Sequence, residues 1–302
     1  MTLRTFTFAV TPALRISVTG TVFLLLAACA SSAPTNTTTP TLSTERVAEI
    51  LASPDRRPAD RTNDLRRKLE HLLPFMGLRP GMVALDVVAG GGYTTELLAR
   101  AVGPTGRVYG QSAPRPPTPA TPATPLATPE GNSHPNLAPA APPLAPAVPA
   151  AAPRPTSAQL LADRAKNPLV SHIVAVTQKY DNPVPPEVAN NALDIVTLMF
   201  NYHDLAYQPI DRAQMNKAIF AALKPGGVYI VADHAAKPGT GISVASTLHR
   251  IDEEFVKNEI EAAGFKLVES ATFLRNPADP RDKNTPEPAM PKDEFVFKFL
   301  KR

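Results

Sequence analysis

The sequence predicts an α/β protein: a doubly wound, mostly parallel sheet of seven strands that closes with an antiparallel C-terminal pair. Three observations lead there. Short apolar runs alternate with amphipathic helical segments along most of the chain. The runs are apolar at nearly every position, as in strands covered on both faces. No helical segment separates the last two runs, so that pair needs no crossover.

In chain order, Val47, Ile50 and Leu51 mark a short amphipathic helix, and Leu65, Leu69, Leu72 and Leu73 a second one broken near Pro74. Met82–Val88 follows the turn Arg79-Pro80-Gly81 and reads as a buried strand. Thr94–Val102 is helical, and Gly103-Pro104-Thr105-Gly106 turns the chain into strand Arg107–Gly110. Helix Ser157–Lys166 and strands His172–Val176 and Leu193–Met199 come next. An amphipathic helix, Ile210–Leu223, is closed by the turn Lys224-Pro225-Gly226-Gly227 before strand Val228–Asp233. His249–Ala263 reads as a helix with Asp252 and Glu253 in its first turn and Gly264 at its end. Strands Lys266–Phe273 and Glu294–Leu300 finish the chain.

The 302 residues are 43% hydrophobic, enough to bury a core, and include one cysteine. A single cysteine excludes an intramolecular disulfide framework and any multi-cysteine zinc or iron–sulfur site. There are 31 basic and 27 acidic residues. Without Arg4 and Arg15 the charge falls to about +2, which gives no electrostatic case for nucleic-acid binding.

Arg4 and Arg15 lie in a segment, 1–28, without acidic residues. They precede an uncharged run from Val18 to Ala28 that is half the length a membrane-spanning helix needs. This is the pattern of a secretory signal peptide. Leu26-Ala27-Ala28-Cys29 resembles the bacterial lipobox, which implies cleavage before Cys29 and its lipidation. Residues 29–43 then read as a flexible tether. Ala30 follows the cysteine, and by resemblance to lipoproteins this implies a lipid anchor in the outer membrane, facing the periplasm. The remaining chain, 44–302, is one domain interrupted at 112–157. That stretch holds 15 of the 35 prolines and 12 alanines, with no Ile, Phe, Met or Tyr. Such a composition cannot offset its ordering entropy and reads as a disordered Pro/Ala-rich insertion.

Asp86-Val87-Val88-Ala89-Gly90-Gly91-Gly92-Tyr93 lies between a predicted strand and a predicted helix, the context that gives a glycine loop meaning. Gly106-Arg107-Val108-Tyr109, Asp194-Ile195-Val196 and Leu223-Lys224-Pro225-Gly226-Gly227 accompany it. On these residues the chain resembles the class I S-adenosylmethionine-dependent methyltransferases, over 44–111 and 158–302. More narrowly it is similar to a bacterial group of predicted methyltransferases sharing Asn201-Tyr202-His203-Asp204, His249-Arg250-Ile251-Asp252-Glu253 and Phe273-Leu274-Arg275-Asn276-Pro277. The resemblance implies a Rossmann-like sheet, S-adenosylmethionine as cofactor and a small-molecule methyl acceptor. It implies cofactor contacts from Asp86, Ala89, Gly90, Gly91, Gly92, Tyr93, Gln111 and Asn201. Two positions depart from the family pattern Asp/Glu-x-Gly-x-Gly-x-Gly and its ribose-binding acid. Val88 occupies the first glycine position, and Gln111 stands where an acidic residue is usual, so weaker cofactor affinity is expected.

Ligands of open α/β sheets bind beyond the carboxyl ends of the strands. Asn201–Asp204, Asp233-His234 and Gln111 fall there. Methyl transfer needs in-line positioning and, for a poor nucleophile, a base. His203 or His234 is the candidate base, oriented by Asp204 or Asp233. The spacing of His203, Asp204 and His234 matches no metal motif. Asp252 is equally a helix-dipole partner or a site residue. Arg61, Arg66 and Arg67 are either carboxylate binders or a solvated face. A competing reading is a non-catalytic, tethered binding domain that keeps the pocket and has changed its ligand.

Overall fold

The computed structural model describes residues 41–114 and 155–302, with Thr2, Thr5, Thr7 and Ala9 standing alone near the start. The expected signal peptide, Cys29, most of the tether and most of the 112–157 insertion lie outside the described residues. The chain divides into Met1–Thr38 and Thr39–Arg302, and every element belongs to the second unit.

The elements run α1 Thr44–Ala52, α2 Pro58–Arg66, α3 Leu69–Met76, β1 Val83–Val87, α4 Tyr93–Val102, β2 Arg107–Ser112 and α5 Ser157–Arg164. Then come β3 Ile173–Thr177, β4 Leu193–Met199, α6 Tyr202–Ala206, α7 Arg212–Ala222, β5 Leu223–His234, α8 Ala245–Leu248, α9 Glu253–Glu261, β6 Lys266–Ala271 and β7 Glu294–Leu300. Ser112 therefore closes a strand. Thr156 caps α5, accepting from Gln159 N while the Gln159 side chain returns to the cap. The ends of the expected insertion thus belong to elements.

One seven-stranded sheet forms in the order β3-β2-β1-β4-β5-β7-β6. The first five positions pair in parallel, and β7 runs antiparallel to both β5 and β6. The sheet is mixed, mostly parallel and doubly wound, as its strand patterns predict. Neighbouring residues along a strand go to opposite faces. Ala84, Val108, Ile195 and Ile230 join α1, α3, α4 and α5 in one core cluster. Leu85, Tyr109, Val196 and Tyr229 join α6, α7 and α9 in the other. Among the described residues no helix is long and apolar enough to cross a membrane.

Four expectations need correction. The segment read as one helix around Leu65–Leu73 is two, separated by Lys68 at φ 45°. Pro74 does not break α3, which continues to Met76 because Leu69, Leu72, Leu73 and Met76 are all buried; Gly77, at φ 71°, ends it. The turn Lys224–Gly227 is a bulge within β5: Leu193 pairs with Leu223 and Ile195 with Val228, so four residues loop out opposite Asp194. The helix expected from His249 begins at Glu253. Ile251 instead pairs with Ala235 in a β-bridge, and Asp252 is the N-cap, accepting from Glu254 N and Gly239 N.

Candidate functional site

In the strand order, β1 stands where connections turn from one side of the sheet to the other, between β2 and β4. The crevice beyond the ends of β1 and β4 is where such sheets bind ligands. The glycine loop lines it. Gly90 and Gly92 have φ 55° and 79°, conformations that glycine adopts without strain. Added Cβ atoms show which glycine faces open space. Among the described residues nothing lies within 4 Å at Gly91, and at Gly90 only Val88 O comes near, at 3.9 Å. At Gly92 a Cβ would stand 2.8 Å from Leu161 and 2.9 Å from Arg164. Gly90 and Gly91 present backbone to the crevice, whereas Gly92 makes room for α5.

Asp86 lies beneath the loop, accepting from Thr95 Oγ1 at 2.6 Å and Thr197 Oγ1 at 2.8 Å. Burial raises its carboxyl to about pH 6 despite those bonds. The position expected to touch cofactor is thus a post between β1, α4 and β4. Gln111 is also internal, with no exposed surface. Its Oε1 accepts from Val88 N at 3.0 Å, its amide donates to Gln178 O at 2.7 Å, and its own carbonyl accepts from Ala89 N at 2.8 Å. In this arrangement Gln111 is a clamp on the loop, not a hydrogen-bond acceptor turned to the crevice. Val88, held at φ 57°, packs its side chain against the core of the second face. The expected projection of Val88 toward a bound cofactor is corrected accordingly.

Tyr93 opens α4, and its hydroxyl donates to Asp64 Oδ1 at 2.8 Å; burial pushes its pKa up. Arg67 lies over the rings of Tyr93, at 5.0 Å, and Phe200, at 4.6 Å, and donates to Thr94. Burial lowers its pKa to about 10. Arg67 is therefore no solvated face. Arg66 also covers Phe200 and reaches Glu294 at 3.3 Å, while Arg61 is spent on the carbonyls of Leu51 and Ser53.

Phe200 follows β4 at φ 61°. Asn201 then turns its amide back onto Met199 O at 2.8 Å, and α6 carries His203 and Asp204. His203 is fully buried. Its backbone N–H donates to Asp233 Oδ2 at 2.8 Å, and its ring Nδ1 meets Asp233 Oδ1 at 2.6 Å. Burial alone would raise the Asp233 carboxyl, but His203 and His234 outweigh it and hold the carboxyl below its usual value. His234 lies between Phe200, at 5.4 Å, and His203, at 5.6 Å, with tilted rings and Nδ1 3.0 Å from Glu294. The structure thus brings together His203, Asp204, Asp233 and His234. Arg67 and Phe200 connect them to the loop.

Three members were not foreseen. His249 meets Asp204 from the opposite side at 3.4 Å, with its ring edge-on to His203. It leaves α8 at φ 48°, a strained conformation for histidine that aims the ring inward. Glu294 comes from β7 and Phe200 from the end of β4. Each depends on topology; His249 stands in the shared His249–Glu253 motif, but nothing in that motif points it at Asp204.

No family model matches the chain, and no curated protein matches it. Solved structures do. A SAM-dependent methyltransferase from Aquifex aeolicus is 14% identical, with 87% of this chain and 100% of that chain covered at a TM-score of 0.49. The [4+2]-cyclase SpnF is 15% identical over 80% of each chain at a TM-score of 0.49. An arsenic(III) S-adenosylmethionine methyltransferase from Chlamydomonas reinhardtii is 16% identical over 74% of this chain and 64% of that chain, with a TM-score of 0.43.

Proposed function

We propose that this chain is an S-adenosylmethionine-dependent methyltransferase acting on a small-molecule acceptor. One observation carries the reading: a strand–glycine loop–helix unit at the switch point of a 3-2-1-4-5 sheet, with open space above Gly90 and Gly91. In this reading the free N–H groups at the start of α4 and the backbone of Ala89–Gly92 hold the cofactor. His203 or His234 removes the acceptor's proton. Asp233 fixes the ring of His203 for that task. The methyl group itself, supplied as a sulfonium, needs alignment more than further catalysis.

Calorimetry of the purified chain with S-adenosylmethionine and S-adenosylhomocysteine tests this. Wild type is expected to bind both. Val88→Gly is expected to keep or tighten binding, because glycine takes φ 57° without strain. If both proteins stay folded and neither binds, the competing tethered-binding reading replaces the enzyme. That alternative draws on Gln111, whose side-chain polar atoms are already engaged by Val88 N–H and the carbonyl of Gln178.

We further propose that Cys29 is lipidated and holds the domain in the cell envelope, a reading supported by Leu26-Ala27-Ala28-Cys29 alone. Cys29→Ser is expected to move the protein out of the membrane fraction or leave it as an uncleaved precursor. An unacylated wild-type N-terminus by mass spectrometry overturns this part.

A further inference from the structure

We propose that His203, Asp204 and His249 form a binding site for one divalent transition-metal cation of the zinc type. His203 Nε2 and His249 Nδ1 each stand 3.4 Å from Asp204 Oδ1, and the three ligand atoms lie within 4.8 Å of one another. A separation of 3.4 Å is long for a charged hydrogen bond, which has N···O of about 2.7–2.9 Å. It matches the edge of a coordination tetrahedron: bonds of about 2.0–2.1 Å place neighbouring ligands ~3.3–3.4 Å apart. Two imidazoles and one carboxylate suit zinc, iron(II) or cobalt(II) better than magnesium or calcium, which favour all-oxygen sets.

The second observation is independent of the ligands' spacing. Metal-binding histidines characteristically donate the far ring N–H to a carboxylate, which fixes the tautomer and raises ligand basicity. His203 does this: Nδ1 is 2.6 Å from Asp233 Oδ1, and Asp233 is itself held by the backbone N–H groups of His203 and His234. That leaves Nε2 as the ring nitrogen on the Asp204 side, 3.4 Å from Oδ1. The ligands come from α6 and from the positive-φ corner after α8, two elements packed against each other, with Tyr207 bonded to Asp204 beside them. His203 is fully buried, while the side chains of His249 and Asp204 remain 22% and 21% exposed, which leaves an approach for the ion and a coordination position for a further ligand.

With three protein ligands the cation keeps that position open. A hydroxyl, thiol or water of the acceptor bound there would have its pKa lowered. This last consequence rests on the methyl-transfer reading; the metal site does not. With the cation bound, both ring nitrogens of His203 are engaged, and the base is His234.

The test uses the full chain, stripped with chelator and titrated with Co²⁺ and then Zn²⁺, without S-adenosylmethionine. Wild type is expected to take up one Co²⁺ per chain, with the visible absorption bands of a low-coordinate nitrogen–oxygen site, and to release it to Zn²⁺. His249→Ala is expected to lose the bands while keeping its circular dichroism spectrum. Asp204→Asn, an isosteric change, should also lose them and serves should His249→Ala misfold. Asp233→Asn should weaken Zn²⁺ binding 10–100-fold. No stoichiometric uptake by wild type, or unchanged Co²⁺ spectra in folded His249→Ala or Asp204→Asn, overturns the site. Metal uptake without S-adenosylmethionine binding keeps the site and removes the methyltransferase. Cofactor binding without metal uptake does the reverse.

Discussion

Arg164→Ala is expected to destabilise the domain by about 3–5 kcal/mol, measured as unfolding free energy in urea. Arg164, from α5, is buried and bonds Asp60 Oδ2 at 2.7 Å, Glu96 Oε2, and the carbonyl of Gly91 at 2.6 Å. Burial opposes its charge, but Asp60 and Glu96 outweigh that and hold its pKa above the usual arginine value. Alanine leaves two carboxylates inside the protein without that cation, although Glu96 retains Arg100 at 2.8 Å. It also withdraws the contact that closes the glycine loop from behind. Replacing Arg164, Asp60 and Glu96 together by Met, Leu and Met should restore most of the loss, since the cost lies in the unpaired charges. A loss below 1 kcal/mol in the single variant would show that water reaches the site and that the cluster is not a buried ion network.

Gln111→Leu should cost about 2–4 kcal/mol, because it leaves Val88 N–H and Gln178 C=O without their partner inside the protein. The larger consequence concerns the loop. A β-branched residue held at φ 57° stores strain, roughly 1–3 kcal/mol, that persists only where the surroundings enforce it. The Gln111 amide is the enforcing group. Amide hydrogen exchange at Val88–Gly92 should quicken in the variant relative to β1 and β4. If stability falls by less than 1 kcal/mol and exchange is unchanged, the loop is held by its own backbone and not by Gln111.

These two residues also show where sequence reading ends. The central strands are legible because their apolar runs have no polar face to confuse them, and the glycine loop because strand and helix flank it. The segment containing α2 was misread for a physical reason. Its spacing places Leu65 in a buried stripe, yet Leu65 is 82% exposed, while Asp60, Asn63 and Asp64 point inward. Hydrophobic periodicity cannot register a helix whose inner face is held by ion pairs such as Arg56–Asp64 at 2.6 Å. Similarly, the grouping of His203, Asp204, Asp233 and His234 is legible because all four lie at or just beyond the carboxyl ends of two neighbouring strands. His249 was hidden by its assignment to a helix that starts four residues later. Gln111 was placed correctly at the end of β2, but no pattern of residues reveals which way an amide turns.

The place of β7 bears on how the chain is made. It comes last in chain order among the seven strands, yet it sits between β5 and β6 and pairs along its whole length, from Val228↔Leu300 to His234↔Glu294 on one side. Until Glu294–Leu300 has emerged from the ribosome, β5 has only β4 beside it and β6 has no strand to join. A nascent chain can assemble β1 to β5, but the sheet stays open along one edge until β7 is made. Ribosome-bound chains lacking these seven residues should therefore remain protease-sensitive from β5 onward. Emergence of β7 would then be the event that commits the domain to its final fold.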